Sequence, residues 1–120
     1  MPAPDPDRHL PLRPVDFLVL VVLADGPRHG YALAQEVERR SRGKVRVRPG
    51  DLYRVLYRMD GAGLIEPAPA TSRQKGADDR RAIYRITPLG RRVARSEARL
   101  LADVAAGLLR RPLPGGERAS

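Results

Sequence analysis

Arginine is the residue type with the most potential for chemistry in this sequence. The 120-residue chain has 23 Lys and Arg against 14 Asp and Glu, which gives a formal net charge of +9. It has no cysteine and only two histidines, His9 and His29, too few for thiolate catalysis or a typical metal site. We therefore expect no enzyme activity, no metal and no cofactor, and a polyanionic partner, with nucleic acid as the first candidate.

The cations that we consider for nucleic-acid contacts lie in three regions. Residues 39–48 contain six basic side chains without an acid among them, and of these we expect only Arg46 or Arg48 to touch DNA, with the others solvated. Residues 49–61 form the second region. Residues 71–81 predict a polar wing tip whose cations could grip phosphate or enter the minor groove: Arg73, Lys75, Arg80 and Arg81.

The second region predicts a helix with a basic and aromatic outer face. Pro49 suits the first helical position and Asp51 suits the first turn, where free amides favour an acid. At 100° per residue, the face opposite the core is basic and aromatic. The apolar face consists of Leu52, Val55, Leu56 and Met59, and the outer face of Arg54, Tyr57 and Arg58. Arginine can bond guanine O6 and N7, so this face suits the major groove; the alternative is a face that is merely solvated.

Two residues at the edge of this helix have more than one interpretation. Tyr53 lies between the apolar and outer faces, and its position fits a phosphate contact and simple packing equally well. Asp51 could accept a hydrogen bond from cytosine N4, but stabilisation of the helix start explains it without DNA.

The remaining elements predict a fold that is mainly α with a small β-hairpin wing. Residues 15–25 and 29–41 predict two helices, the second ended by Gly43. Residues 44–48 predict a short strand, 64–68 an edge strand and 82–87 a second strand of a hairpin. Thr87 as N-cap and Pro88 begin a long helix that ends at Arg110. This order is that of a winged helix-turn-helix with an added C-terminal helix.

The long helix predicts a homodimer. Its apolar stripe extends beyond anything a small winged helix can cover, so we expect a second copy of the chain to cover it. The stripe consists of Leu89, Val93, Leu100, Leu101, Val104 and Leu108. The domain boundaries follow: a flexible proline-rich tail at 1–13, the winged helix at 14–87, the dimerisation helix at 88–111 and a flexible tail at 112–120.

Three ordered blocks of residues resemble the PadR-like transcriptional regulators. They are His29-Gly30-Tyr31-Ala32-Leu33, then Pro49-Gly50-Asp51-Leu52-Tyr53 continuing to Gly63-Leu64-Ile65-Glu66, then Arg81-Ala82-Ile83-Tyr84-Arg85-Ile86-Thr87 with Gly90-Arg91. The resemblance implies a dimeric winged-helix DNA-binding protein, usually a repressor, of the branch with one C-terminal helix. Asp51 and Arg54 stand where this family often has a small hydroxyl residue and a proline, so its operator sequences do not carry over.

The resemblance also implies partners and further site residues. It adds Tyr31 to the DNA contacts and places Phe17, Leu18 and Val21 of the first helix in the dimer interface. The partner would be double-stranded DNA with an inverted-repeat operator, and a small-molecule effector of unknown identity could release it. The sequence lacks tryptophan, so the aromatic drug sandwich of some relatives has no counterpart here.

Location and alternative functions follow from simpler features. The apolar runs are far shorter than the roughly 20 residues that cross a bilayer, and the first residues lack the pattern of a signal peptide. We therefore expect a cytoplasmic protein without a membrane partner. The composition leaves a basic RNA-binding or ribosome-associated module as the alternative function, and a protein-binding adaptor as a third.

Overall fold

Four α-helices and three short strands make up the part of the chain that the computed structural model describes, which is residues 5–68, 82–112 and 114. The elements, in chain order, are a 3-10 helix Pro6–His9, α1 Pro14–Ala24, β1 Arg28–His29, α2 Gly30–Arg40, α3 Pro49–Gly61, β2 Ile65–Pro67, β3 Ile83–Ile86 and α4 Pro88–Arg110. The strands form an antiparallel sheet in the order β1-β3-β2. This architecture confirms the predicted fold class.

One of the three strands is formed by a different segment from the one that the sequence predicted. Residues 44–48 form no strand, although Val45 and Val47 turn toward the core, which explains their alternation with cations. The hydroxyl of Ser41 accepts the backbone N–H of Val45 at 2.9 Å and holds the segment as an irregular connection. The third strand of the sheet is instead Arg28–His29, which pairs with Ile83 and Tyr84 in β3. The prediction of a strand at 44–48 is therefore wrong.

The core is aliphatic and has α1 at its centre. Helix α1 packs against α2, α4 and β3, which explains why apolar residues occur on most of its sides. Helix α3 contributes Leu52, Leu56 and Met59 to the core, while Val55 is half-buried beside them. Because these residues recur at helical spacing, α3 is held with its opposite face toward solvent.

The junction between the hairpin and α4 depends on Thr87. Its hydroxyl oxygen accepts the N–H of Gly90 at 3.0 Å, as predicted for an N-cap, and donates to the carbonyl of Gly63 at 2.6 Å. Gly63 itself has a φ of +78°, a conformation that favours glycine, where α3 turns into β2. One side chain thus ties the start of α4 to the end of α3.

The core reaches further along α4 than the sequence indicated. Val93, predicted at the dimer interface, is completely buried within the single chain, so it cannot contact a partner. Leu89 is half-buried against the same core. The prediction for Val93 is therefore wrong, because the first two turns of α4 close the winged helix itself.

The segment before α1 folds back onto α4. Asp5 caps the 3-10 helix by accepting the N–H of Asp7 at 2.9 Å, and Leu10 and Leu12 pack against the core. The N–H of Leu12 donates to the carboxylate of Glu97, which is buried in α4. The predicted flexible tail is thus corrected for residues 5–13; residues 1–4 and most of the predicted C-terminal tail lie outside the described residues.

Among the helices described, none combines the length and the apolar character needed to cross a membrane.

Candidate nucleic-acid interface

The outward face of α3 presents an exposed pair of one basic and one aromatic side chain. The side chain of Arg54 is 87% exposed, and Tyr57, which directly follows the buried Leu56, is 82% exposed. The nearest acid to Arg54 is Asp51, with 3.9 Å between the guanidinium and the carboxylate, and both side chains are exposed. An exposed pair at this distance is weak, so the guanidinium remains available to an anion or a base.

Asp51 lies in the first turn of α3, as predicted. The N-cap residue Arg48 makes no capping hydrogen bond through its side chain, so the acid at the third position is the charged group that complements the helix start. Its position supports the helix-start interpretation and adds the loose contact with Arg54.

Arg58 differs from the other two residues of the predicted outer face. Its Nη2 atom lies 2.7 Å from Oδ1 and 2.6 Å from Oδ2 of Asp16, a residue of α1. The Asp16 side chain is only 11% exposed, whereas that of Arg58 is 44% exposed. Bidentate recognition of guanine needs two free donors of the guanidinium fork, and one of them is engaged here. The geometry argues against the predicted base contact of Arg58.

Part of the basic run at 39–48 is neutralised by an acid of α2 and by Asp25, which directly follows α1. Arg39 bonds Glu36 at 2.9 Å and 3.1 Å, and this contact holds the pKa of the Glu36 carboxyl down to about 2. Arg40 pairs with Asp25 and, more loosely, with Glu36 at 3.5 Å. The sequence alone did not show these pairs, because the acids precede the run.

The end of the run leaves more charge available. Arg46 lies 3.3 Å from Glu38 and its side chain is exposed. Within the described ranges, Arg42, Lys44 and Arg48 form no ion pair, and all three are exposed. Arg48 immediately precedes α3. At least one unpaired cation of the run, Arg48, is therefore located next to the candidate reading helix.

The two other tyrosines predicted to contact DNA differ in their surroundings. Tyr31, in the first turn of α2, is exposed and stacks on the ring of His29 with 5.3 Å between ring centroids. Tyr53 is half-buried and packs against the core, in agreement with the packing interpretation. The four predicted wing cations, Arg73, Lys75, Arg80 and Arg81, lie outside the described residues.

The predicted dimer surface lies on α1 and the second half of α4. Five apolar side chains in the second half of α4 are exposed: Leu100, Leu101, Val104, Leu108 and Leu109. The sequence analysis did not include Leu109 in this surface. Phe17, Leu18 and Val21 of α1 are half-buried and line two adjoining apolar cavities. Because both cavities are lined by residues of α1 and of α4, the apolar residues of the two helices form one continuous surface.

The larger cavity, about 370 Å³, lies between α1, α4 and the N-terminal segment. Its wall includes Leu12, Phe17, Leu18, Leu100, Leu101 and Val104. Glu97 is buried beside it, and its Oε1 atom has no hydrogen-bond partner among the described residues. The sequence analysis did not identify Leu12 as part of this wall, because the proline-rich segment that contains it indicated a flexible tail.

Asp16 was also missed, although a signal for it existed. It is an acid near the start of an otherwise apolar helix, and a carboxylate in such surroundings normally needs a partner. The periodicity of α1 could not identify Arg58 as that partner, because the two residues are 42 positions apart.

Helices α2 and α3 form a two-helix unit, and the hairpin of β2 and β3 follows it. Together with the exposed basic face of α3, this arrangement defines a winged-helix protein of the DNA-binding class. Residues 19–96 match the model of the transcriptional regulator PadR-like family. The chain belongs to this family, which confirms the resemblance found in the sequence.

Individual relatives agree with this family. The transcriptional regulator Rv3488 of Mycobacterium tuberculosis is 39% identical over 87 residues, which cover 72% of this chain and 74% of that protein. A 37.1 kDa protein of transposon TN4556 from Streptomyces fradiae is 34% identical over 98 residues, 82% of this chain. The match covers 26% of that protein, so this chain spans about a quarter of its length.

The fold is also similar to a solved structure of a PadR-like transcriptional regulator from Bacillus cereus. The TM-score is 0.63 with 21% identity, and the similarity covers 82% of this chain and 93% of that one. At this identity the comparison supports the fold and leaves residue roles to the geometry described above.

Proposed function

We propose that the chain acts as a homodimer that binds a double-stranded DNA operator and represses transcription, with α3 in the major groove. The observation that carries this proposal is the exposed pair Arg54 and Tyr57 on a helix whose opposite face is locked into the core. A rigid helix with a free guanidinium provides the geometry that base recognition requires.

The cations beside α3 supply sequence-independent affinity in this proposal. Arg46 and Arg48 are proposed to contact phosphate, which is supported by their exposure and their position just before the reading helix. Tyr31 and Tyr53 are candidates for further backbone contacts. The wing cations Arg73, Lys75, Arg80 and Arg81 are proposed to grip phosphate as well.

The dimer follows from the apolar surface of α1 and α4. Helix α4 has 23 residues, so it is about 34 Å long, and the apolar side chains of its second half are left exposed by the described part of the chain. Two copies related by a twofold axis would place two α3 helices in successive major grooves, about 34 Å apart. The operator is therefore proposed to be an inverted repeat.

The cavity at this surface supports an effector site. Its volume of about 370 Å³ and its apolar wall suit a small molecule. Because the cavity is bordered by the proposed dimer surface, a ligand there could change how the two α3 helices are spaced. Release of the operator by such an effector is part of the proposal.

The function is tested by titrating labelled nucleic acids and following fluorescence anisotropy. We expect tight binding to the DNA upstream of its own gene, weaker binding to shuffled DNA of equal length, and the weakest binding to RNA of equal length. The logarithm of the binding constant should fall linearly with that of the salt concentration, because bound cations displace counterions. Equal affinity for all three, or a preference for RNA, would favour the RNA-binding alternative.

Replacing Arg54 by alanine should weaken binding to the operator by about 1 to 3 kcal/mol and to shuffled DNA much less, because a base contact is lost. The matched control is Arg92→Ala, which removes the same charge from an exposed position of α4. Both variants are titrated on both DNAs. If Arg92→Ala lowers the operator-to-shuffled ratio as much as Arg54→Ala does, α3 is not the reading helix.

A further inference from the structure

The Asp16–Arg58 contact links α1 to the last turn of α3. Both carboxylate oxygens of Asp16 lie within 2.7 Å of a single guanidinium nitrogen, Nη2 of Arg58. Asp16 occupies the first turn of α1, where free backbone amides and the helix dipole favour a negative charge. The Asp16 end of the contact is thus on a side that solvent barely reaches.

Arg58 is otherwise well placed for DNA. It follows Arg54 by four residues, so the two side chains emerge from the same side of α3 one turn apart. Nearly half of the Arg58 side chain is exposed. An arginine at this position would reach phosphate if its guanidinium were released.

The carboxylate and a DNA phosphate compete for the same donor. Both are anions that accept charge-assisted hydrogen bonds from a guanidinium. Asp16 has the advantage because it is covalently part of the fold and already in contact, so the pair forms without the loss of freedom that a new intermolecular contact requires. Arg58 therefore remains on Asp16 when DNA binds.

We propose that Asp16 is a positioning residue that limits sequence-independent DNA affinity, because it holds the Arg58 guanidinium against α1 and away from phosphate. This inference rests on the proposed DNA-binding function. It assigns Arg58 a structural place on the reading helix and leaves Arg54 and Tyr57 as the groups that face the groove.

The test is a double-mutant cycle of Asp16→Asn and Arg58→Gln, measured on shuffled DNA at several salt concentrations. Asparagine keeps the shape of Asp16 and removes its charge, so Arg58 is released. We expect Asp16→Asn to steepen the salt slope by about 0.9 and to raise the affinity at 0.1 M salt roughly five- to tenfold, the effect of one added phosphate contact. The double variant has the net charge of the wild type and should return to its slope.

Two further variants separate this idea from general charge effects. Asp103→Asn removes an exposed carboxylate of α4 and should leave the slope unchanged. Arg58→Gln alone should also keep the wild-type slope, because Arg58 makes no phosphate contact in the wild type. If circular dichroism shows that Asp16→Asn does not fold, the salt slope of Arg58→Gln alone tests whether Arg58 contacts phosphate in the wild type.

The outcomes are distinguishable. A slope that falls by about one in Arg58→Gln, or that stays constant in a folded Asp16→Asn, overturns the inference while the proposed function stands. A wild-type protein that binds no DNA overturns both. A steeper slope in Asp16→Asn that is absent from the double variant supports the inference, since a merely structural contact would not add a phosphate contact.

Discussion

Replacing Gly90 by alanine lowers the free energy of unfolding by about 2 to 3 kcal/mol, the upper part of the range for overpacking a core. The added Cβ would lie 2.1 Å from the carbonyl oxygen of Leu64 and 2.8 Å from Cγ1 of Ile86. One of these neighbours is backbone, so relief requires α4 to move away from the hairpin. That movement would strain the hydrogen bonds of Thr87 to Gly90 and to Gly63.

Gly107→Ala is the matched control. Gly107 lies in the same helix, and a Cβ there would meet nothing within 4 Å. Alanine should therefore stabilise the chain by about 0.5 to 1 kcal/mol through its higher helix propensity. Urea unfolding followed by circular dichroism measures both variants. If both are stabilised equally, α4 does not approach the hairpin as closely as described.

The double substitution Leu101→Glu with Leu108→Glu should convert a dimer into a monomer. Burying two unpaired carboxylates in an apolar interface costs several kcal/mol, more than most interfaces can absorb. Sedimentation should change from about twice the chain mass to the 13.3 kDa of a single chain. Operator affinity should fall when the dimer is lost, because a dimer binds two linked half-sites more tightly than a monomer binds one.

Ala102→Glu serves as the control for this pair. It introduces a carboxylate at an exposed position of α4 that faces away from the apolar stripe, on the side of the arginines. Residues 101 and 108 are themselves exposed in the single chain, so the double variant should keep its helical content. A wild type that sediments as a monomer at micromolar concentration, or a double variant that remains dimeric, would contradict the proposed interface.

The local features of this chain were predictable from the sequence. The face of α3 that is buried follows from the spacing of Leu52, Leu56 and Met59, because the helical period is a property of the backbone. The start of α4 follows from Thr87 and Pro88, since a cap acts on amides within its own turn. The basic and aromatic character of the outward face could be predicted for the same reason, so the candidate reading helix was identified without a structure.

Tertiary structure decided which of these side chains are available. Arg54 and Arg58 are equivalent in sequence terms, yet one is exposed and the other is held by Asp16, 42 residues away. Val93 and Leu100 belong to one apolar stripe, and only the extent of the core places the first inside and the second at the surface. The sequence by itself determined the helical elements and the faces they present, because periodicity and capping act within a few residues. The partners of Asp16, Leu12 and Gly90 depend on how distant segments pack, which a local pattern does not contain.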